Sequence, residues 1–338
     1  MARERIKWLD VLKCIGIIEI FFGHLGITSS FLWAFVWTHH VPLFFFASGC
    51  VVSHEKVPIK SVLLKKIRTL LIPWLCFAMF STVLYALSNN LEASSLLNVL
   101  FLLVKGCIRN SFFAGSLWFL TCLFVICIVF ELIKRLKNNV LIFLICFGLF
   151  IVSETALPFR PAIQPSYIWN IDSAMYYIVY YALGYIMCPL INKFLNLKDN
   201  VLKKLGLFLS GLASFIFCIA VYFKKNPLKL IETKPPISSI INLITSIIII
   251  WALICISFLL QNISLLSKIG QNTLYACGNE YIITTLIECI FAALGLKLSF
   301  PNSLIGLMYS LFMLFIILKF LTPPEKKLVN FITEKIHE

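Results

Sequence analysis

Long apolar segments dominate this sequence, and they constrain its fold more than any other feature. Ten segments approach the length of about 20 residues that a helix needs to cross a lipid bilayer. The composition agrees, because 60% of the 338 residues are hydrophobic and only 13% are charged, whereas soluble domains carry about 25% charged residues. Backbone groups in lipid must be satisfied within the chain, so helices are the expected structure. The sequence therefore predicts an all-α integral membrane protein, multi-pass in the cell membrane and surrounded by a lipid bilayer.

Short polar loops separate the apolar segments, and no long linker or internal repeat divides the chain. We therefore predict a single integral membrane domain over residues 1–338, built as a polytopic bundle of about ten transmembrane helices. A further apolar stretch at 94–108 predicts an interfacial helix. The ten predicted spans are residues 11–29, 40–54, 67–87, 112–133, 139–155, 173–191, 203–222, 238–260, 272–295 and 302–321.

The distribution of Lys and Arg predicts the topology. Of the 29 basic residues, 19 fall at the two termini and in alternate loops, 8 fall in the remaining loops and 2 lie within predicted spans. Cytoplasmic loops of membrane proteins are enriched in Lys and Arg, so both termini are predicted to be cytoplasmic. The basic run from Lys224 to Lys234 is an exception, because it lies in a predicted outside loop. The net charge of +14 thus reflects topology, and nucleic acid is not predicted as a partner.

The cysteines and the motif searches exclude several classes of function. The 12 cysteines lie mostly singly within apolar runs and form no C-x-x-C pair, which predicts buried thiols without a disulfide framework or a metal site. The sequence contains neither a P-loop nor a dinucleotide-binding G-x-G-x-x-G motif. No metal, ATP or NAD site is therefore predicted.

Four ionisable side chains lie in or near the first predicted span, namely Asp10, Lys13, Glu19 and His24. Such groups are costly within a membrane and are candidates for function. At 100° per residue, Lys13 and His24 differ by about 20° in direction and lie ~16 Å apart along the axis, while Asp10 is within about 40° of His24 and Glu19 is about 140° away. A polar stripe therefore joins Asp10 and Lys13 to His24. The alternative is structural: Asp10 pairs with Lys13 at the interface, and His24 bonds to a neighbouring helix.

A second polar cluster lies at residues 38–49, Thr-His-His-Val-Pro-Leu-Phe-Phe-Phe-Ala-Ser-Gly. Proline is favoured in the first turn of a helix, so Pro42 predicts that the second span begins close to it. The apolar run starts directly after His40, which favours His40 as the functional histidine and leaves His39 as a cap or loop residue. We expect the imidazoles of His24 and His40 to lie within ~12 Å of each other in a shared cavity.

These motifs resemble those of the membrane acyltransferase 3 family, particularly its branch related to fucose O-acetylases. The first helix contains Arg5-x-x-Trp8-Leu9-Asp10-x-x-Lys13, and ten residues separate Lys13 from His24. The segment from His40 to Gly49 is similar to the second motif of the family. Weaker landmarks are Arg68 with Pro73, Ser116–Leu120 and Tyr180–Gly184.

The sequence departs from the family pattern near the ninth predicted span. Many relatives have a histidine shortly after a Gly-x-Asn-Ser/Thr-Leu sequence, whereas here residues 270–274 are followed by Cys277-Gly278-Asn279-Glu280. This difference bears on the identity of the acceptor more than on acyl transfer. Asn279 and Glu280 are candidates for binding a sugar hydroxyl, and the alternative is a polar kink satisfied by a neighbouring helix.

The resemblance implies transfer of an acyl group, with acetyl-CoA as the expected co-substrate, to a hydroxyl of a carbohydrate or cell-envelope glycan. His24 would act as general base, because a neutral imidazole accepts a proton near neutral pH. Lys13 or Arg68 would bind the phosphates of CoA. Asp10 would orient Lys13, and Glu19 or His40 would fix the imidazole tautomer or the acceptor.

Other questions stay open at the level of sequence. Candidates for acceptor binding are Trp118, Asp172, Asn279 and Glu280. A covalent acyl-histidine intermediate is an alternative to direct transfer. A transporter or flippase of a glycan intermediate is the alternative from a different class of protein, because intramembrane charge also suits a substrate pathway.

Overall fold

The computed structural model describes residues 5–27, 31–89, 92–111, 115–195, 201–224 and 234–335. Within these ranges the secondary structure is helical and contains no β-strand, so the predicted all-α class is confirmed. The helices are α1 (Lys7–Gly23), α2 (Phe31–Cys50), α3 (Ile59–Lys66), α4 (Ile72–Ser88), α5 (Ala93–Val104), α6 (Leu117–Ile133), α7 (Asn139–Thr155), α8 (Ile171–Leu195), α9 (Val201–Lys224), α10 (Ile237–Leu260), α11 (Ser264–Gln271), α12 (Thr273–Ala293), α13 (Ser303–Ile316) and α14 (Thr322–Lys335).

Among the described residues, six continuous helical segments are long and apolar enough to cross a membrane. A seventh helix, α7, is apolar but shorter. The chain is therefore a multi-pass membrane protein. The number of ten spans, the cytoplasmic position of the termini and the single domain over residues 1–338 remain predictions. The six segments are Phe31–Cys50, Ile59–Ser88, Leu117–Leu136, Ile168–Leu195, Ile237–Leu260 and Ser303–Lys335.

The first two helices begin and end at residues that differ from the prediction. Helix α1 ends at Gly23 and His24 follows it as an exposed C-cap residue, so the helix stops before the end of the predicted span 11–29. Helix α2 starts at Phe31 rather than at residue 40, which places Pro42 in its interior. Proline cannot donate to the carbonyl four residues earlier, and the hydroxyl of Ser246 on α10 lies 2.8 Å from that Thr38 oxygen. The same hydroxyl lies 2.7 Å from the carbonyl of Asn242, so its one proton is shared between the Thr38 and Asn242 carbonyls.

Two of the long helices contain a π-helical turn directly before proline. The turns are Ile67–Leu71 and Ile317–Leu321, and they precede Pro73 and the pair Pro323-Pro324. A proline ring collides with the carbonyl four residues earlier, and a widened turn relieves that collision. The helix therefore continues through each proline, and the last predicted span extends past residue 321 into α14.

The chain forms two compact units, each assembled from three separate segments. Unit 1 comprises residues 1–52, 180–273 and 300–310. Helix α1 packs there against α2, α10 and α11, and α10 also packs against α9. The buried face of α1 includes Leu9, Leu12, Ile17 and Phe21. The polar residues of α1 are consequently held by a well-packed helix.

Two glycines bring α2 and α8 into backbone contact within unit 1. A Cβ atom on Gly49 would overlap the carbonyl oxygen of Tyr181, and one on Gly184 would overlap the carbonyl oxygen of Phe46. Small residues allow membrane helices to approach this closely. The two sequence landmarks that contain Gly49 and Gly184 are therefore the two sides of one helix crossing.

Unit 2 comprises residues 53–179, 274–299 and 311–338. Helix α6 packs against α3, α4 and the short turn Ile168–Asn170. On α12, Gly278 lies against the ring of Phe77 from α4, so that a Cβ atom at this position would overlap the ring. Phe77, Phe130 and Phe150 are fully buried. This packing places the polar residues of α12 inside the unit.

Candidate active site

A buried carboxylate near the start of α1 pairs with two positively charged side chains. Asp10 is only 3% exposed. It accepts a hydrogen bond of 2.6 Å from Nε of Arg5, and its other oxygen lies 3.3 Å from Nζ of Lys13. Ser267 on α11 is 3.4 Å away, and Gly270 of the same helix packs directly on the Asp10 backbone. The predicted pairing of Asp10 with Lys13 is present, and Arg5 adds a second positive charge.

Glu19 pairs with a histidine that the sequence analysis assigned to a loop. Both carboxylate oxygens of Glu19 lie 3.1 Å from Nε2 of His39. His39 is 0% exposed in the interior of α2. Glu19 was expected to fix the tautomer of His24 or bind the acceptor, and its described partner is instead His39. The assignment of His39 to a cap or loop is therefore wrong, because α2 starts nine residues earlier than predicted.

Backbone contacts assign the protons of both adjacent histidines. Nδ1 of His39 lies 3.1 Å from the carbonyl of Phe35, and Nδ1 of His40 lies 2.8 Å from that of Val36. A carbonyl only accepts, so each Nδ1 carries a proton and donates it. In the neutral form of His40, the lone pair is then on Nε2. The contact of His39 with Glu19 requires one further proton, either on His39 Nε2 or on the carboxylate.

The His39–Glu19 pair offers a direct stability test. Glu19→Leu leaves Nε2 of His39 without its hydrogen-bond partner, and breaking a buried pair typically costs about 3–5 kcal/mol. We expect Glu19→Leu and His39→Leu each to lower the thermal stability of the purified protein markedly. The double variant should recover part of the loss, because no polar group is then left unpaired. Additive losses in the double variant would show that the two side chains are not coupled.

His24 and His40 lie together at the end of α1. Their ring centroids are 6.3 Å apart and their planes are nearly perpendicular, so the predicted proximity is confirmed. Trp37 of α2 contacts both imidazoles, at 6.0 Å from His24 and 5.2 Å from His40. His40 is buried, whereas His24 is exposed. Of the two imidazoles, His24 is thus the more accessible.

In unit 2, Trp118 belongs to an aromatic cluster around an arginine. The guanidinium of Arg109 lies 4.9 Å from the ring of Trp118, and it donates to the hydroxyl of Tyr177 at 2.9 Å and to the carbonyl of Pro161. Nε of Arg109 is buried and has no hydrogen-bond partner among the described residues. The sequence analysis missed Arg109 as a site candidate, because it counted only as a charge in a loop.

Asp172 holds the backbone beside this cluster. Its carboxylate accepts hydrogen bonds from the backbone N–H groups of Ser166, Tyr167 and Ser173. It is 1% exposed. These bonds fix the start of α8, so the carboxylate oxygens of Asp172 are engaged with the backbone of its own loop.

Two adjacent polar residues of α12 point to different partners. Ser116 donates to the carboxylate of Glu280. The amide nitrogen of Asn279 donates to Glu325 on α14 at 2.6 Å, while its Oδ1 atom is buried without a hydrogen-bond partner among the described residues. Neither Ser116 nor Glu325 was a candidate in the sequence analysis. Ser116 was visible as part of a landmark, whereas Glu325 lay beyond the last predicted span.

The remaining candidates concern phosphates, thiols and metals. Arg68 lies in the π-helical turn of unit 2, and Lys13 lies in unit 1.

Burial raises the pKa of the Cys107 thiol, between α5 and α6, to about 12, so it stays a protonated and weak nucleophile at neutral pH. The cysteines that the structure describes are all unbridged. In the part of the chain that the structure describes, no cluster of three or more His, Cys, Asp or Glu residues is arranged to hold a metal ion.

The chain has several apolar helices of spanning length, and its packed helices hold buried polar groups. These features define a multi-pass membrane protein with ionisable residues in its interior. Residues 6–321 match the acyltransferase 3 family, described as an acyltransferase domain. The match covers nearly the whole chain, so the protein belongs to this family of membrane acyltransferases. No curated protein and no solved structure matches the chain.

Proposed function

We propose that this protein transfers an acetyl group from acetyl-CoA to a hydroxyl of a carbohydrate or cell-envelope glycan, at the cell membrane. The observation that carries the proposal is the exposed His24 imidazole beside the buried His40, in a member of an acyltransferase family. The Asp10 cluster on the same helix supplies positive charge for phosphates. Membership in this family favours group transfer over the alternative of transport.

The separation of Lys13 and His24 suits the two ends of the donor. Lys13 and His24 are separated by ~16 Å along a helix with a rise of 1.5 Å per residue, and the pantetheine arm of CoA likewise separates its phosphates from its thioester. Arg5 shares the Asp10 carboxylate with Lys13, so the cluster keeps a net positive charge. Lys13 can therefore bind phosphate while Asp10 holds it in place.

The chemistry follows from a neutral imidazole next to the thioester. His24 accepts the proton of the acceptor hydroxyl as its oxygen attacks the thioester carbonyl carbon. The C–S bond then breaks, and His24 returns the proton to the leaving thiolate of CoA. His40 is held by the Val36 carbonyl and orients His24. An acyl-histidine intermediate is the alternative route, and mass spectrometry of protein quenched after mixing with donor alone distinguishes it.

We propose Asn279 as a residue that binds the acceptor. Its Oδ1 atom is buried and unpartnered among the described residues, and can accept from a sugar hydroxyl. Glu280 and Trp118 are further proposed contacts. Asp172 is proposed to act indirectly, because its carboxylate holds the adjacent backbone.

The direct test uses the purified full-length protein in lipid nanodiscs with radiolabelled acetyl-CoA and a panel of glycans. We expect release of free CoA that increases with a glycan acceptor, together with label recovered on the glycan. A protein that releases CoA from none of acetyl-, propionyl- or longer acyl-CoA would contradict the proposed donor. Recovery of the label only as free acetate, with every glycan tested, would contradict the proposed acceptor class.

Lys13→Gln is expected to raise the KM for acetyl-CoA about 10-fold with a smaller change in kcat, because charge-assisted contacts to phosphate contribute about 1.5–3 kcal/mol. The matched control is Lys7→Gln, since Lys7 is an exposed lysine on the same helix. Steady-state kinetics of CoA release provide the measurement. A loss of kcat at unchanged KM would instead make Lys13 part of the catalytic group.

A further inference from the structure

Two tryptophans of α2 bind the same carbonyl group of α1. Nε1 of Trp33 donates to the oxygen of Gly23 at 2.9 Å, and Nε1 of Trp37 donates to it at 3.1 Å. Gly23 is the last residue of α1, where carbonyl groups have no partner within the helix. The two indoles therefore cap α1 from the neighbouring helix, one residue before His24.

Trp37, unlike Trp33, also contacts two histidine rings. Its ring lies 6.0 Å from His24 and 5.2 Å from His40. The ring of Trp33 packs against that of Trp37 in a tilted arrangement, with the ring centroids 5.4 Å apart. Trp37 is also 47% exposed, so burial in a core does not account for its place. Its distinguishing feature is contact with both imidazoles and with the carbonyl that precedes His24.

We propose that Trp37 is a positioning residue that sets the orientation of the His24 imidazole for proton transfer. The N–H group anchors the end of α1, and the indole ring faces His24 and His40. In this role Trp37 does not touch the reacting atoms, and it affects activity only by orienting the His24 imidazole. The proposal rests on the acyl transfer proposed above, while the orientation of His24 can be measured without that reaction.

The experiment compares Trp37→Leu with Trp33→Leu. Both variants remove one hydrogen bond to Gly23, and only Trp37→Leu also removes the ring contacts with the histidines. We expect Trp37→Leu to lower kcat for acetyl transfer about 100-fold at unchanged KM for acetyl-CoA, since displacement of a reacting group by about 1 Å can cost 10²-fold. Trp33→Leu should lower kcat no more than about 3-fold. Trp37→Phe, which keeps a ring, should recover part of the loss.

A second readout separates this proposal from the proposed function. The chain has only five histidines, so the titration of each imidazole can be followed by NMR with ¹⁵N-labelled histidine. We expect the titration of His24 to change in Trp37→Leu and to stay as in the wild type in Trp33→Leu. If the wild type transfers no acyl group, the proposed function fails and the titration still tests Trp37.

Two results would overturn the role of Trp37. One is an equal loss of kcat in Trp33→Leu and Trp37→Leu, which would indicate a helix cap only. The other is an unchanged His24 titration in a folded Trp37→Leu variant. If Trp37→Leu does not fold, Trp37→Met and Trp33→Met, which also lack a ring, replace the pair, and a larger loss of kcat in Trp37→Met supports the proposal while equal losses contradict it.

Discussion

His24→Ala is expected to lower the rate of acyl transfer by about 10²- to 10⁴-fold, the usual effect of removing a general base. The imidazole lies at the end of α1 beside His40 and is exposed. Because it is exposed, its removal leaves no cavity in the core, and the variant should fold and melt like the wild type. The measurement is the transfer of labelled acetyl to glycan by purified protein.

The control for this prediction is His54→Ala. His54 is also an exposed histidine, but it lies in the loop between α2 and α3. It should keep wild-type activity. His40→Ala should reduce activity as well, since His40 is expected to orient His24. Should the folded His24→Ala variant retain more than about 5% of wild-type activity, the base must be another residue.

The second large effect is expected from Gly184→Val. A side chain at Gly184 meets the backbone carbonyl of Phe46, and neither backbone can move aside as a flexible side chain would. Overpacking typically costs about 1–3 kcal/mol, and a backbone-to-backbone collision should reach at least the upper end of that range. We expect a marked loss of folded, monodisperse protein and a lower melting temperature. Size-exclusion chromatography and thermal unfolding in detergent measure both.

Gly206→Val is the matched control for this test. Gly206 lies on α9 in the same unit, and a Cβ atom added there meets no other atom within 4 Å. Its substitution should change the melting temperature little. Equal melting temperatures for Gly184→Val and Gly206→Val would show that α2 and α8 do not cross as closely as described. Gly49→Val should behave like Gly184→Val, because it meets the carbonyl of Tyr181.

Local spacing was sufficient to predict some parts of the site. Asp10 and Lys13 are three residues apart on one helix, and such residues meet on the helix surface. A helix was predicted at 94–108 and α5 is found there, while its interfacial position remains a prediction. The proximity of His24 and His40 also followed from two consecutive helices. In each case the relevant distance is set within one helix or between helices that are adjacent in sequence.

The partners of Glu19, Asn279 and Glu280 were beyond prediction for a different reason. Glu19 meets His39, Asn279 meets Glu325, and Glu280 meets Ser116. Each pair joins two helices, and a shift of one residue in either helix would turn the side chain by 100°. The register between helices depends on close contacts such as those of Gly184 and Gly278, which sequence spacing does not reveal.

The amino-acid sequence by itself determined that this is an all-helical, multi-pass membrane protein of the acyltransferase 3 family, because hydropathy and local motifs act over short distances along the chain. Only the tertiary structure decided where α1 ends, that α2 continues through Pro42, and that Trp37 lies against His24 and His40. Those features depend on contacts between helices. The carbonyl released by Pro42 meets Ser246, and the end of α1 meets the indole N–H groups of α2. The sequence therefore identifies the chemistry-bearing residues of α1, whereas helix packing selects their partners.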